Sequence, residues 1–64
     1  MKVYFYKGWK LHRIEGVVIQ WQRSFFGNWQ ALVKISKSTH DGYKVNEFVD
    51  VWAVELHGFE NEKS

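Results

Sequence analysis

Between residues 17 and 36 the chain twice alternates apolar and polar side chains, on either side of the short stretch 24–28. Val17, Ile19 and Trp21 fall on one face of an extended segment and Gln20 and Gln22 on the other. Trp29, Ala31, Val33 and Ile35 then stand against Gln30, Lys34 and Ser36. A period of two is the signature of a strand with one wet face. Residues 24–28, Ser-Phe-Phe-Gly-Asn, read as a loop, because Gly27 and Asn28 both tolerate positive φ. Two matched strands and their loop predict a hairpin.

The flanking sequence extends this β pattern. Lys-Val-Tyr-Phe-Tyr-Lys at residues 2–7 predicts a strand with Val3 and Phe5 on one face and Tyr4 and Tyr6 on the other. Gly8 breaks it, and residues 9–14 form a less regular segment ending in a turn at Glu15 and Gly16. Asp41-Gly42 is the strongest turn signal of the chain and predicts a second hairpin. The last third supports two readings. Val45, Phe48, Val49, Trp52, Ala53 and Leu56 have helical spacing, with Asn46 as N-cap and Gly58 just past the end. Against this, Val49, Val51 and Val54 are β-branched, and Trp52, Val54 and Leu56 alternate as in a strand. Strand is favoured, with one short C-terminal helix over residues 46–57 packed on the sheet left open. The expected fold is mainly β, a small antiparallel sheet of about five strands in one domain over residues 1–59, followed by a polar tail, 60–64.

With 64 residues and no cysteine, the chain has neither disulfides nor thiolate metal sites to hold it together. A chain so short buries only about 60% of its unfolded surface, so apolar packing must supply the stability. The composition suits that demand: 19% of residues are aromatic, and each such side chain buries about 150 to 250 Å². The lack of thiols agrees with a reducing cytosol. Lys2 and Lys7 are followed by Gly8, Trp9, Lys10, His12 and Arg13 in place of the apolar core of a signal peptide. No apolar run approaches the roughly 20 residues of a membrane span. A soluble, cytoplasmic protein with no membrane partner is the expectation.

From Gly27 onward, Gly-Asn-Trp-Gln-Ala-Leu, then His-Asp-Gly-Tyr, then Val-Asn-Glu-Phe-Val resembles the second half of a Src homology 3 domain. In that family a Gly-Trp-x-Ala strand leads through a turn and a Gly-Tyr pair to a short 3₁₀ segment ending in Tyr-Val. Trp29 and Ala31, Gly42 and Tyr43, and Phe48 and Val49 take those places here, and Tyr4 and Tyr6 match tyrosines of its first strand. The resemblance covers about half the chain. It departs at Val45, where the family has proline, and at Lys7, Lys10 and Arg13, which replace an acidic loop. It implies an SH3-like barrel more than it implies proline-rich ligands, since fold does not settle function.

Nothing in the sequence provides catalytic machinery. Ser24, Ser36 and Ser38 lie in no nucleophile motif, and adjacency of His40 and Asp41 in a turn points their side chains apart. His12, His40 and His57 lack paired metal-ligand spacing. No enzyme, cofactor or metal is expected. The aromatic residues carry the functional signal instead. Trp21, Trp29, Trp52, Phe5 and Phe48 are assigned to the core from their burial frequencies. Tyr4, Tyr6, Trp9, Phe25, Phe26, Tyr43 and Phe59 compete for what room is left, so some rings must reach the surface.

Charge is uneven too. Residues 1–44 carry eight bases and two acids, and residues 45–64 one base and five acids, within a net charge of +2. Solubilising surface charge accounts for this as readily as an electrostatic partner does. Tyr4, Tyr6, Trp9, Arg13, Arg23, Phe25 and Phe26 are the expected partner-binding residues of a small adaptor or inhibitor that docks on another protein, Tyr, Trp and Arg being the residues that dominate interfaces. Such stand-alone domains are frequent in viruses and mobile elements, so a viral origin is a further expectation. The alternative is a nucleic-acid binder, in which bases stack on Tyr4, Tyr6, Trp9 or Phe26 while Lys2, Lys7, Lys10, Arg13, Arg23 and Lys34 follow phosphates. A homodimer through an apolar second face with Tyr4, Tyr6, Val18 and Leu32 is a variant of the first.

Overall fold

In the computed structural model of the chain, residues 1–9 and 11–58 are described; Lys10, Phe59 and the tail 60–64 lie outside them. β-Formers on alternating faces give five strands: β1 (Lys2–Lys7), β2 (His12–Arg23), β3 (Trp29–Ser38), β4 (Phe48–Trp52) and β5 (His57–Gly58). They form one antiparallel sheet in the order β4-β3-β2-β1-β5. A 3₁₀ turn, Ala53–Glu55, joins β4 to β5. The mainly β, five-stranded architecture expected from the sequence is the one observed.

Over residues 46–57 strand wins over helix. Asn46 is left-handed at φ 74°, Val49 and Val51 alternate opposite Val33 and Ala31, and the only helical element among the described residues is the 3₁₀ turn. Packing decides this: as a strand, Val51 is buried against the core and Val49 packs on it. The alternation of Trp52, Val54 and Leu56 ends with β4 at Trp52. Phe48 and Val49, which the Src homology 3 resemblance puts in a 3₁₀ segment, lie in β4.

The turn expected at Glu15 and Gly16 is absent. β2 runs through both residues without a break, paired with β1 over its first half and with β3 over most of its length. Gly16 is there because of close approach: a Cβ at this position would stand 2.5 Å from both the Lys34 carbonyl oxygen and Val33 Cγ1. The β2–β3 register also shifts twice, between Glu15 and Gly16 and between Val18 and Gln20. The second shift makes Ile19 an extra residue and reverses the alternation. Val17 therefore pairs with Lys34 on the outer face, whereas Trp21 pairs with Ala31 on the inner face.

The core is made of Val3, Phe5, Ile14, Ala31, Val33, Ile35 and Val51, with Val18, Tyr43, Val49 and Leu56 packed against it. Small β-branched residues fill most of it. Of the five aromatics assigned to the core, only Phe5 belongs there; Trp21, Trp29, Phe48 and Trp52 are exposed. Val18 likewise lies against the core and not on the outer face with Tyr4, Tyr6 and Leu32. Among the described residues no helix is long and apolar enough to cross a membrane.

Candidate functional site

The strand lengths explain where the exposed rings sit. β1 reaches only to the Lys2–Val17 pair, and Val18 donates to the Met1 carbonyl at 2.8 Å. Beyond that point β2 and β3 continue to the Arg23–Trp29 pair, flanked by β4 as far as Trp52 opposite Gln30. The hairpin is therefore an arm that outruns the core. Trp21, Arg23 and Trp29 project from its inner face at the margin of the core, where Trp21 lies opposite Ala31 and the pair Arg23–Trp29 has no core residue across from it.

The tip of the arm is closed by its own hydrogen bonds. Ser24 donates to the Asn28 carbonyl at 2.7 Å, Gly27 to the Ser24 carbonyl at 2.9 Å, and Asn28 to Ser24 Oγ at 3.1 Å. Gly27 takes φ +89°, as the loop composition requires. Arg23 Nε donates to the Gly27 carbonyl at 3.1 Å, and its guanidinium lies 5.8 Å from the Trp29 ring. With Ser24, Gly27 and Asn28 holding the turn closed, Phe25 and Phe26 point outward. They are 96% and 83% exposed and meet edge to face at 5.4 Å. Behind the tip, Gly27, Asn28, Trp29, Trp52, Ala53 and Val54 line a groove of about 360 Å³.

The expected residues Tyr4, Tyr6 and Arg13 meet elsewhere. Tyr6 pairs with Arg13 and Tyr4 with Glu15 across β1 and β2, and β5 brings His57 alongside Tyr4. The Arg13 guanidinium lies 3.9 Å from the Tyr4 ring centre, and Arg13 Nε is 3.2 Å from Glu15. His57 stacks on Tyr4 at 5.0 Å and meets Tyr6 edge-on at 5.9 Å. Both tyrosines are half-buried in this stack. Trp9 is 98% exposed and left-handed at φ 59°, beside a second hollow shared by Tyr6, Lys7 and His57.

The seven expected residues thus divide between two places. Arg13 and Arg23 are ten positions apart on β2, at opposite ends of the strand. Arg23, Phe25 and Phe26 lie at the tip of the arm, where Arg23 contacts Trp29 and Trp29 shares the groove with Trp52 and Val54; Trp21, Trp29, Trp52 and Val54 are the residues the sequence reading missed. The signal for them was present: seven mostly small apolar residues suffice for the core, so the tryptophans are surplus. His57 was missed as a partner of Tyr4 because a two-residue β5 has no period to read. Among the described residues no group of three or more His, Asp or Glu side chains converges as a metal site. No family model matches this sequence, and no curated protein or solved structure matches it either.

Proposed function

We propose that the protein is a recognition module that docks on another protein through the aromatic end of its hairpin arm. One observation carries the reading: Trp21, Phe25, Phe26, Trp29, Trp52 and Val54 are exposed at one end of a sheet whose core is complete without them. Full burial of a side chain of this size contributes roughly 1.5–3 kcal/mol; nearly all of that is still to be gained at Phe25, Phe26 and Val54, and about half of it at the three tryptophans. Exposed apolar area gathered at one place marks a binding surface. Trp and Arg are the residue types that anchor such surfaces, and Arg23 lies beside the Trp29 ring at the tip of the arm.

The five-stranded order and the 3₁₀ turn before β5 support reading the sheet as an SH3-like barrel. The Tyr4, Tyr6 and Arg13 stack, with Trp9 beside it, is a second contact area in this reading. Phosphate tracking has less support, because Arg23 is the only cation among the aromatic residues of the arm and already contacts Gly27 and Trp29.

Immobilised protein tests the reading when wild type is compared with the F25S/F26S variant in capture from lysate, beside an oligothymidine titration at low salt. Capture by wild type and its loss in the variant are expected, with no oligothymidine binding. Equal capture by both proteins would overturn the docking surface. Tight oligothymidine binding that falls with salt at a log-log slope of about −0.7 per phosphate contact would replace it with the nucleic-acid reading.

A further inference from the structure

The two edges of the sheet are β4 and β5, and they differ. β5 is two residues long, which leaves little ladder to extend. β4 has five residues and, among the described residues, pairs with β3 alone. On its other side, Phe48 and Asp50 present backbone N–H and C=O groups that bond to no described residue, while Trp52, the N-cap of the 3₁₀ turn, gives its carbonyl to that turn. An edge of this kind is a template for one more strand.

The side chains along β4 state what that strand must carry. Phe48, Asp50 and Trp52 stand on the outer face, opposite Lys34, Leu32 and Gln30 respectively. Phe48 and Trp52 are exposed. Between them Asp50 is exposed and forms no ion pair with a described residue. A carboxylate between two aromatic side chains on an open edge is complemented by a cation between two apolar residues, because directly opposed side chains on neighbouring strands interact most strongly. The same carboxylate selects against a second copy of this chain. In-register antiparallel pairing of β4 with itself sets Asp50 against Asp50, and a shift by two residues leaves both carboxylates facing rings. The groove lined by Trp29, Trp52 and Val54 begins where β4 ends, so an added strand has an apolar place for its next side chain.

We propose that β4 is a strand-addition site for an extended segment of a protein partner, with a lysine or arginine opposite Asp50 and apolar residues facing Phe48 and Trp52. This rests on the recognition-module reading and adds to it the conformation and charge of what is recognised.

The test uses the full chain and a fluorescein-labelled peptide, Gly-Ser-Thr-Ile-Val-Lys-Val-Ile-Thr-Ser-Gly, read by fluorescence anisotropy. Against wild type, replacing the central lysine by glutamate is expected to weaken binding about fivefold or more. Against the D50K variant the preference is expected to reverse. Of two further probes, N-methylated on odd or on even residues of the central segment, one is expected to lose binding and the other to keep it. Binding indifferent to the central charge in both proteins overturns the proposal, as does equal binding of both methylated probes, absence of binding, or a sedimentation mass showing β4 occupied by a second copy that D50K releases. If these fail while F25S/F26S still abolishes partner capture, the recognition-module reading stands and only the β4 site is lost.

Discussion

Replacing Gly16 by alanine adds a single methyl group where the structure has no room for one. The new carbon would lie 2.5 Å from the Lys34 carbonyl oxygen and 2.5 Å from Val33 Cγ1, roughly 1 Å or more inside ordinary contact distance. One of these neighbours is backbone and the other belongs to the core, so neither can swing aside. Relief requires β2 and β3 to separate at the point where Gly16 faces Ile35. Overpacking of this kind costs about 1–3 kcal/mol, and the backbone contact puts this site at the upper end. The smaller freedom of the unfolded alanine chain offsets about 0.4–1 kcal/mol, leaving a net loss of about 2 kcal/mol. A 64-residue chain at about 0.05–0.15 kcal/mol per residue has only about 3–10 kcal/mol in all. Since each kcal/mol moves the midpoint of so small a domain by about 4–8 °C, G16A should melt about 8–16 °C below wild type. The control is G58A, whose added carbon meets nothing within 4 Å and should cost less than about 0.5 kcal/mol. Thermal unfolding followed by far-ultraviolet circular dichroism, run on all three proteins, reads the difference. If G16A melts with G58A, the close approach of β2 to β3 is refuted, and with it the account of why one strand runs through a glycine.

Two further substitutions probe the division between core and surface. Phe5 is completely buried, so F5A should lose about 3–5 kcal/mol, enough to leave a large unfolded fraction in urea titrations that barely affect wild type. Lys7 sits 3.9 Å from Glu55 with both side chains partly exposed; after solvent screening the pair is worth little, and K7M should shift the urea midpoint by less than about 0.5 kcal/mol.

The fold was legible where a single period of two ran unbroken. β1, the 24–28 loop and the inward set Ala31, Val33 and Ile35 all follow from alternation and turn chemistry. It was illegible where one residue changed the phase. Ile19 looks like any other alternating residue, yet as the extra residue of a register shift it sends Val17 and Trp21 to opposite faces. Gly16 is equally ambiguous, because a glycine needed for close packing and a glycine needed for a turn are written the same way. The candidate site was half legible for a different reason. Phe25 and Phe26, two of the expected partner-binding residues, lie exposed at the loop tip. Trp21, Trp29 and Trp52 were sent inward by burial frequencies, which describe average proteins. Nothing in a one-dimensional pattern shows that the hairpin outruns β1, and that difference in strand length leaves the tryptophans uncovered.

Acrylamide quenching of intrinsic tryptophan fluorescence, with the emission maximum recorded in the native and urea-unfolded states, is decisive for the whole picture. All four indoles reach solvent in the folded chain, Trp9 almost fully and Trp21, Trp29 and Trp52 by about half, so every indole should be open to quencher in the native state and the native emission should lie to the red of a buried indole, moving further red on unfolding. A blue-shifted native spectrum with strongly protected indoles would mean that the tryptophans fill the interior after all, and no aromatic surface would be left for a partner to meet.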